Sequence, residues 1–179
     1  SSMPTRNPAR ASQSGILRTL MRAALALVAI VASMGSLPKA GMLVPGRSLG
    51  GVQLGETAAD ARAALGGFYG RCDGCARTTW YFTYRKWTRT GLAVELRSGR
   101  VAALYTVWRP PGWHTPAGLR LGAVEGQVSS LAGPVVPVAC AGYTVLVRDT
   151  RSTRTAYYIV DGKLWGFGLM HARANPCRT

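Results

Sequence analysis

Carboxylates and imidazoles are scarce. Seven Asp and Glu stand against 22 Lys and Arg, with two histidines in 179 residues. Acid–base or hydrolytic chemistry needs such groups to converge, and two of the seven, Asp60 and Asp161, already read as a helix-start group and a turn residue. No Gly-x-Ser-x-Gly elbow surrounds Ser129-Ser130. A phosphate-cradling loop is missing too, because Gly66-Gly67 follows a helical stretch where such a loop precedes one. Cys72-Asp73-Gly74-Cys75 has no second CxxC or paired histidine beside it for zinc, and it lacks the strand-to-helix setting that lowers a thiol pKa. The expectation is no enzyme, no metal and no cofactor. A cell-wall hydrolase is the remaining catalytic alternative, and it requires His114 or His171 to meet a carboxylate in space.

The charge that is present is positive, +15 in all. Five basic residues and no acidic one lie in the first 40 (Arg6, Arg10, Arg18, Arg22, Lys39), leaving 17 minus 7, or +10, for the rest. Such an excess favours anionic partners: an acidic protein, an anionic envelope polymer or a membrane surface. The basic residues are scattered singly and Arg outnumbers Lys 19 to 3, so a uniform arginine bias is an equally good reading. No nucleic-acid partner is expected.

Along the chain, residues 1–15 are polar and without apolar period, reading as a disordered tail. Arg18 and Arg22 then precede fifteen uncharged residues, 23–37, and small residues follow. That pattern reads as a secretory signal; the competing reading is an uncleaved anchor over 16–37, and membrane contact is expected only through it. Either way the remainder is placed outside the cytoplasm, secreted or on the outer membrane face. Residues 41–48, with Pro45-Gly46, read as a linker.

A phrase then occurs twice. Gly51-Val52-Gln53-Leu54-Gly55 returns 67 residues later as Gly118-Leu119-Arg120-Leu121-Gly122, each followed by a short helical stretch and a glycine. Residues 93–101 align with 156–164 at an offset of 63. Two matched blocks in the same order argue for a duplicated unit. In the first copy Thr57 and Asp60 form a helix-start signal, with Ala61, Ala64 and Leu65 on one face; in the second, Val124, Val128 and Leu131 recur at helical spacing. Helices of about two turns are unstable alone in water and must lie on a sheet. Strands are expected over 80–87, 92–96 and 101–108, then 143–148, 156–160 and 164–170, with Ser98-Gly99 and Asp161-Gly162 as hairpin turns. The fold class is therefore α+β: two tandem repeats, residues 49–113 and 114–179, each with a short helix on a three- to four-stranded antiparallel sheet, the sheets side by side. Pro110-Pro111-Gly112 and Pro116 mark a rigid join between them.

Four cysteines in an exported chain most simply make two disulfides. The preferred pairing is Cys72 with Cys75 and Cys140 with Cys177; two other pairings stay open. Trp80, Phe82 and Tyr84 alternate along one strand, and Trp165, Phe167 and Leu169 along another, so each row is expected on one face. The simplest account makes these rows core. Two short helices bearing small residues cannot cover every large ring, however, and rings interleaved with arginine are the composition of a protein-binding surface. Trp108, Trp113 and Tyr158 are the expected anchors, with Arg97 and Arg109 steering an acidic partner.

Leu54-Gly55-Glu56-Thr57, a helix ending Ala64-Leu65-Gly66, a cysteine soon after and a second copy of the unit together resemble the secreted β-lactamase-inhibitory-protein-like fold, and are similar to the small outer-membrane assembly lipoproteins that share it. This chain departs from the pattern at Glu56 and Ala123, where Met is usual. The resemblance implies a helical layer on a four-stranded sheet per repeat, a sheet face that binds proteins, and no chemistry. The expected function is thus a non-enzymatic exported binding module, monomeric, engaging a protein partner through its open sheet face, with adhesion to an anionic polymer or membrane as the alternative.

Overall fold

The computed structural model describes Leu37 and residues 41–72, 74–84 and 88–178. The chain divides into Ser1–Ser33 and Met34–Thr179, and the architecture below belongs to the second unit. The expected tail and signal or anchor lie outside the described residues, Leu37 apart. Among the described residues no helix is long and apolar enough to cross a membrane.

Among the described residues eleven strands and two helices follow in order: β1 (Leu43–Val44), β2 (Ser48–Leu49), β3 (Val52–Gln53), α1 (Ala58–Leu65), β4 (Tyr69–Cys72), β5 (Thr78–Thr83), β6 (Gly91–Arg97), β7 (Arg100–Val107), α2 (Glu125–Ala132), β8 (Val136–Cys140), β9 (Tyr143–Asp149), β10 (Thr153–Val160) and β11 (Lys163–His171). The protein is α+β. Strands β1 to β3 form a small sheet, and the others form one antiparallel sheet in the order β4-β5-β6-β7-β11-β10-β9-β8. Each helix precedes a four-stranded meander. The meanders join where β7 pairs with β11, through Tyr105 with Gly168, Leu104 with Leu169 and Ala103 with Met170. The two sheets expected side by side are thus one sheet of eight strands.

Local sequence explains much of this. Asp60 N donates to Thr57 Oγ1 and Thr57 N donates to Asp60 Oδ2, so each residue satisfies an amide left free in the first turn of α1. α2 begins at Val124 without a side-chain cap. Both hairpin turns place two residues at positive φ, Ser98 (51°) with Gly99 (73°) and Asp161 (49°) with Gly162 (69°), the geometry that matches strand twist.

One sheet face carries the main core. Phe82, Leu92, Val94, Leu104, Tyr157, Phe167 and Leu169 are buried there with Ala61 and Leu65 of α1 and Val128 and Ala132 of α2. Ala64 is exposed, as are Val124 and Leu131, so each helix seats a narrower stripe than its sequence period implied. The missing cover comes from the segment expected to be a linker. Residues 41–48 supply β1 and the start of β2, burying Leu43 completely beside Leu49. The turn between them is pinned to β10, Gly46 N donating to Thr155 Oγ1 at 2.8 Å and Thr153 Oγ1 donating to Gly46 O at 3.1 Å. A segment with two fully buried leucines in reach has too much apolar surface to serve as a solvated connector.

The join after β7 is also packed. His114 bridges to Met42 and to Arg120, and Trp113 lies wholly inside. A side chain on Gly41 would sit 2.5 Å from the Trp113 ring, so glycine there is what lets the indole in.

Candidate functional site: an aromatic cleft on the outer sheet face

The opposite face of the large sheet is built from the alternate residues of the same strands. Ala103, Val145, Val147, Ala156, Tyr158 and Met170 form a second buried cluster there. The tail after β11 folds back over it. Cys177 is bonded to Cys140 at the end of β8, and Cys72 to Cys75, the preferred pairing. Tyr143 Oη donates to the Arg178 carbonyl at 2.7 Å. The Arg178 side chain is thereby delivered into the sheet face: Nη1 lies 3.0 Å from Glu95 Oε1, Nε 3.4 Å from Tyr158 Oη, and the guanidinium carbon 4.9 Å from the centre of the Tyr105 ring.

Beside Arg178 the tail leaves a cleft of about 310 Å³, lined by Tyr105, Thr106, Val107, Trp108, Tyr143, Tyr158, Val160, Trp165, Gly166 and Arg178. Five of these ten carry aromatic rings, so the cleft is apolar with few hydrogen-bonding groups. Gly166 of β11 lines it, and Gly168 follows two residues along the same strand. A side chain at Gly168 would stand 2.8 Å from Tyr158 Oη, and one at Gly166 would stand 2.8 Å from Thr106 Oγ1. The absence of those side chains lets the Tyr158 ring lie across the strand. Burial, above all, pushes the Tyr158 phenol up to about 12, with the Arg178 charge acting the other way. Burial likewise raises Tyr105.

The rim is strained. Trp108 and Arg109 adopt φ of +56° and +46°, a conformation that costs non-glycine residues roughly 1–3 kcal/mol each and persists where surroundings over-determine it. Arg109 is placed directly before Pro110 and cannot relax into the right-handed helical region without clash. The guanidinium of Arg109 lies 5.4 Å from the Trp165 ring centre, and that of Arg89 lies 5.8 Å from Trp108, so each exposed indole carries a cation over it.

Of the expected recognition residues, the structure brings Trp108, Arg109 and Tyr158 to this cleft. Trp108 is 55% exposed. Tyr158 is a buried wall of the cleft, 7% exposed, and not a projecting anchor. Trp113 is not on the surface at all. Its Nε1 donates to Tyr84 Oη at 2.7 Å and it is 0% exposed, because the small sheet closes over it. Arg97 lies elsewhere, at the turn end of β6. The row Trp80, Phe82, Tyr84 does share the helix-side core. The other row does not keep together. Tyr158 pairs with Gly166 while Ile159 pairs with Leu164, so Trp165 is the extra residue of a β-bulge and turns to the cleft, leaving Phe167 and Leu169 beneath the helices. The sequence leaves Tyr105 among the rings that two short helices cannot cover, and gives no notice of Tyr143 or Arg178. Tyr105 had a signal, since Ala103, Tyr105 and Val107 alternate against Leu104; Arg178 had none.

The Nδ1 atom of His114 lies 3.0 Å from Gly112 O. Among the described residues no ion pair joins a histidine to a carboxylate, and no three His, Cys, Asp or Glu groups converge as metal ligands.

No protein-family model matches the chain, and no curated protein matches it. Among solved structures it is similar to a DUF4309 family protein, YjgB, from Bacillus subtilis, at 17% identity with a TM-score of 0.48, covering 69% of this chain and 84% of that one. It is also similar to an extracellular protein containing an SCP domain from Bacillus anthracis, at 11% identity with a TM-score of 0.44, covering 65% of this chain and 43% of that one.

Proposed function

We propose that the chain is an exported, monomeric, non-enzymatic module that binds a protein partner on the outer sheet face. The observation that carries this reading is the cleft itself: an apolar hollow walled by aromatic rings, with a strained, exposed Trp108 at its lip. An aromatic anchor beside an apolar pocket is the arrangement that concentrates binding energy in protein interfaces. Arg89 and Arg109 give the lip a positive sign suited to an acidic partner. Two disulfides favour an oxidising compartment and so export. The duplication reading draws support from the order of elements, a helix and four strands given twice, and the likeness to the β-lactamase-inhibitory-protein-like unit rests on the same arrangement with the Gly-x-x-Leu-Gly phrase.

The test uses a photo-crosslinking residue at Val160 in the cleft wall, applied to native envelope and medium fractions. A protein partner should be captured, and Trp108→Ala should weaken that capture at least about 30-fold, the equivalent of about 2 kcal/mol at a central anchor. Arg109→Gln should chiefly slow association. Capture that is indifferent to Trp108→Ala removes the cleft from the binding surface.

A further inference from the structure

A second hollow lies at the turn end of β6 and β7, with a volume of about 990 Å³. Its wall carries Arg77, Arg97, Arg100, His171, Arg173 and Asn175. These come from three stretches far apart in sequence: the approach to β5, the β6–β7 hairpin, and the end of β11 with the tail. Scattered singly along the chain, the arginines look like a uniform bias; folded, four of them face one groove.

Among the described residues their charge is largely uncompensated. Glu95 is the carboxylate bonded to Arg77, at 2.8 Å, and it is shared with Arg178 at 3.0 Å. Arg100 donates from Nη1 to the Gly55 carbonyl at 2.9 Å, which leaves its charge in place, and its carboxylate neighbour is Asp60, already committed to the cap at Thr57. Among the described residues Arg97 and Arg173 enter no ion pair, and both are exposed. His171 is the one ring in the lining, and no Trp, Tyr or Phe joins it, so the groove offers no row of ring faces on which successive bases could stack. Guanidinium forks match phosphate oxygens two at a time, and the groove has room for more than one such group.

We infer that this groove is a binding site for consecutive phosphate groups of a linear polyanion that has no stacking bases, with Arg97 and Arg173 as the free bidentate donors. It is separate from the aromatic cleft and stands whether or not that cleft binds a protein.

The probe is inorganic polyphosphate, titrated calorimetrically into the full chain at several salt concentrations. Four contacts at about 0.7 per phosphate predict a slope of log K on log salt of about −3. The double variant Arg97→Gln with Arg173→Gln should bind at least about tenfold more weakly at low salt, with a slope near −1.5. Removing two charges outside both hollows, with Arg120→Gln and Lys163→Gln, should change affinity by less than about threefold, because screening confines the effect to the local groove. Arg97→Lys with Arg173→Lys keeps the charge but not the fork, and should recover the slope while leaving affinity below that of the natural chain. Equal losses in the two Gln pairs would mean that binding follows net charge alone and overturn the site. Tighter binding to single-stranded DNA or to anionic vesicles than to polyphosphate, at equal phosphate, would overturn the assignment of the ligand.

Discussion

Arg178 and Glu95 meet across 83 residues of chain, Nη1 to Oε1 at 3.0 Å, with side chains only 17% and 8% exposed. Arg77 takes the other carboxylate oxygen from a side chain 55% exposed. The geometry predicts an order of costs. Glu95→Gln strands a buried guanidinium among tyrosine rings and should destabilise by about 3 kcal/mol, the range for one partner lost from a buried pair. Arg178→Met leaves Glu95 with Arg77 and should cost less. Arg77→Gln should cost under about 1 kcal/mol. Urea unfolding of the three variants reads the ranking, and equal costs would contradict it.

The tail is held covalently as well. The Cys140–Cys177 bridge closes a separation of 37 residues and Cys72–Cys75 one of 3. On the chain-entropy estimate, the Ser variants of the first pair should lose about 3 to 4 kcal/mol and those of the second about 2. Thermal melts under non-reducing conditions compare the two, and a larger loss from the short loop would reverse the prediction.

Stability should fall in strong base. Burial raises Tyr157 and Tyr158 to about 12 in the folded protein, whereas an unfolded tyrosine titrates near about 10. Their contribution is complete below the unfolded value and is lost as pH climbs from there through the folded one. At the acid end the signs reverse. Asp60, held down mainly by its bond to Thr57, and Asp149, held down mainly by Arg154, contribute above the usual carboxylate range and cease to do so as pH falls through their lowered values. Melting temperature against pH, with tyrosinate absorbance followed alongside, should show Tyr158→Phe flattening the alkaline limb alone.

Neither half should fold by itself. Cutting the chain between Trp113 and His114 unpairs β7 from β11 and parts the small sheet from its bonds to His114 and to Thr153 and Thr155 of β10. A fragment of roughly 65 residues has little apolar surface to spare. Residues 41–113 and 114–179 expressed separately should give broad melts below that of the intact chain, and a cooperative transition at the intact temperature in either would refute a shared core.

What the sequence disclosed and what it withheld divide by range. The Thr57–Asp60 cap and the Ser98-Gly99 and Asp161-Gly162 turns are written within four residues, and they form where the residues say. The bulge at Trp165 is local too, yet a single inserted residue reverses every face after it, and nothing in Leu164-Trp165-Gly166-Phe167 announces which residue is extra. The burial of Trp113 is hidden from the sequence for a different reason. Its burial depends on Gly41 and Gly50, more than sixty positions earlier, whose missing side chains admit the ring. The basic groove is the extreme case, because Arg77, Arg97, Arg100 and Arg173 become neighbours only once the sheet exists.

The large sheet is open among the described residues, so its two margins, β4 and β8, each present one row of peptide groups with no neighbouring strand there. Both marginal strands finish in a half-cystine, Cys72 and Cys140, while the six inner strands contain none. Sulfur is spent where the ladder is one-sided and the outermost strand is held from a single flank. A chain whose four thiols are reduced therefore carries its looseness at its two borders, which are also the templates on which another chain could add a strand. Oxidation ties each border strand back to its own chain.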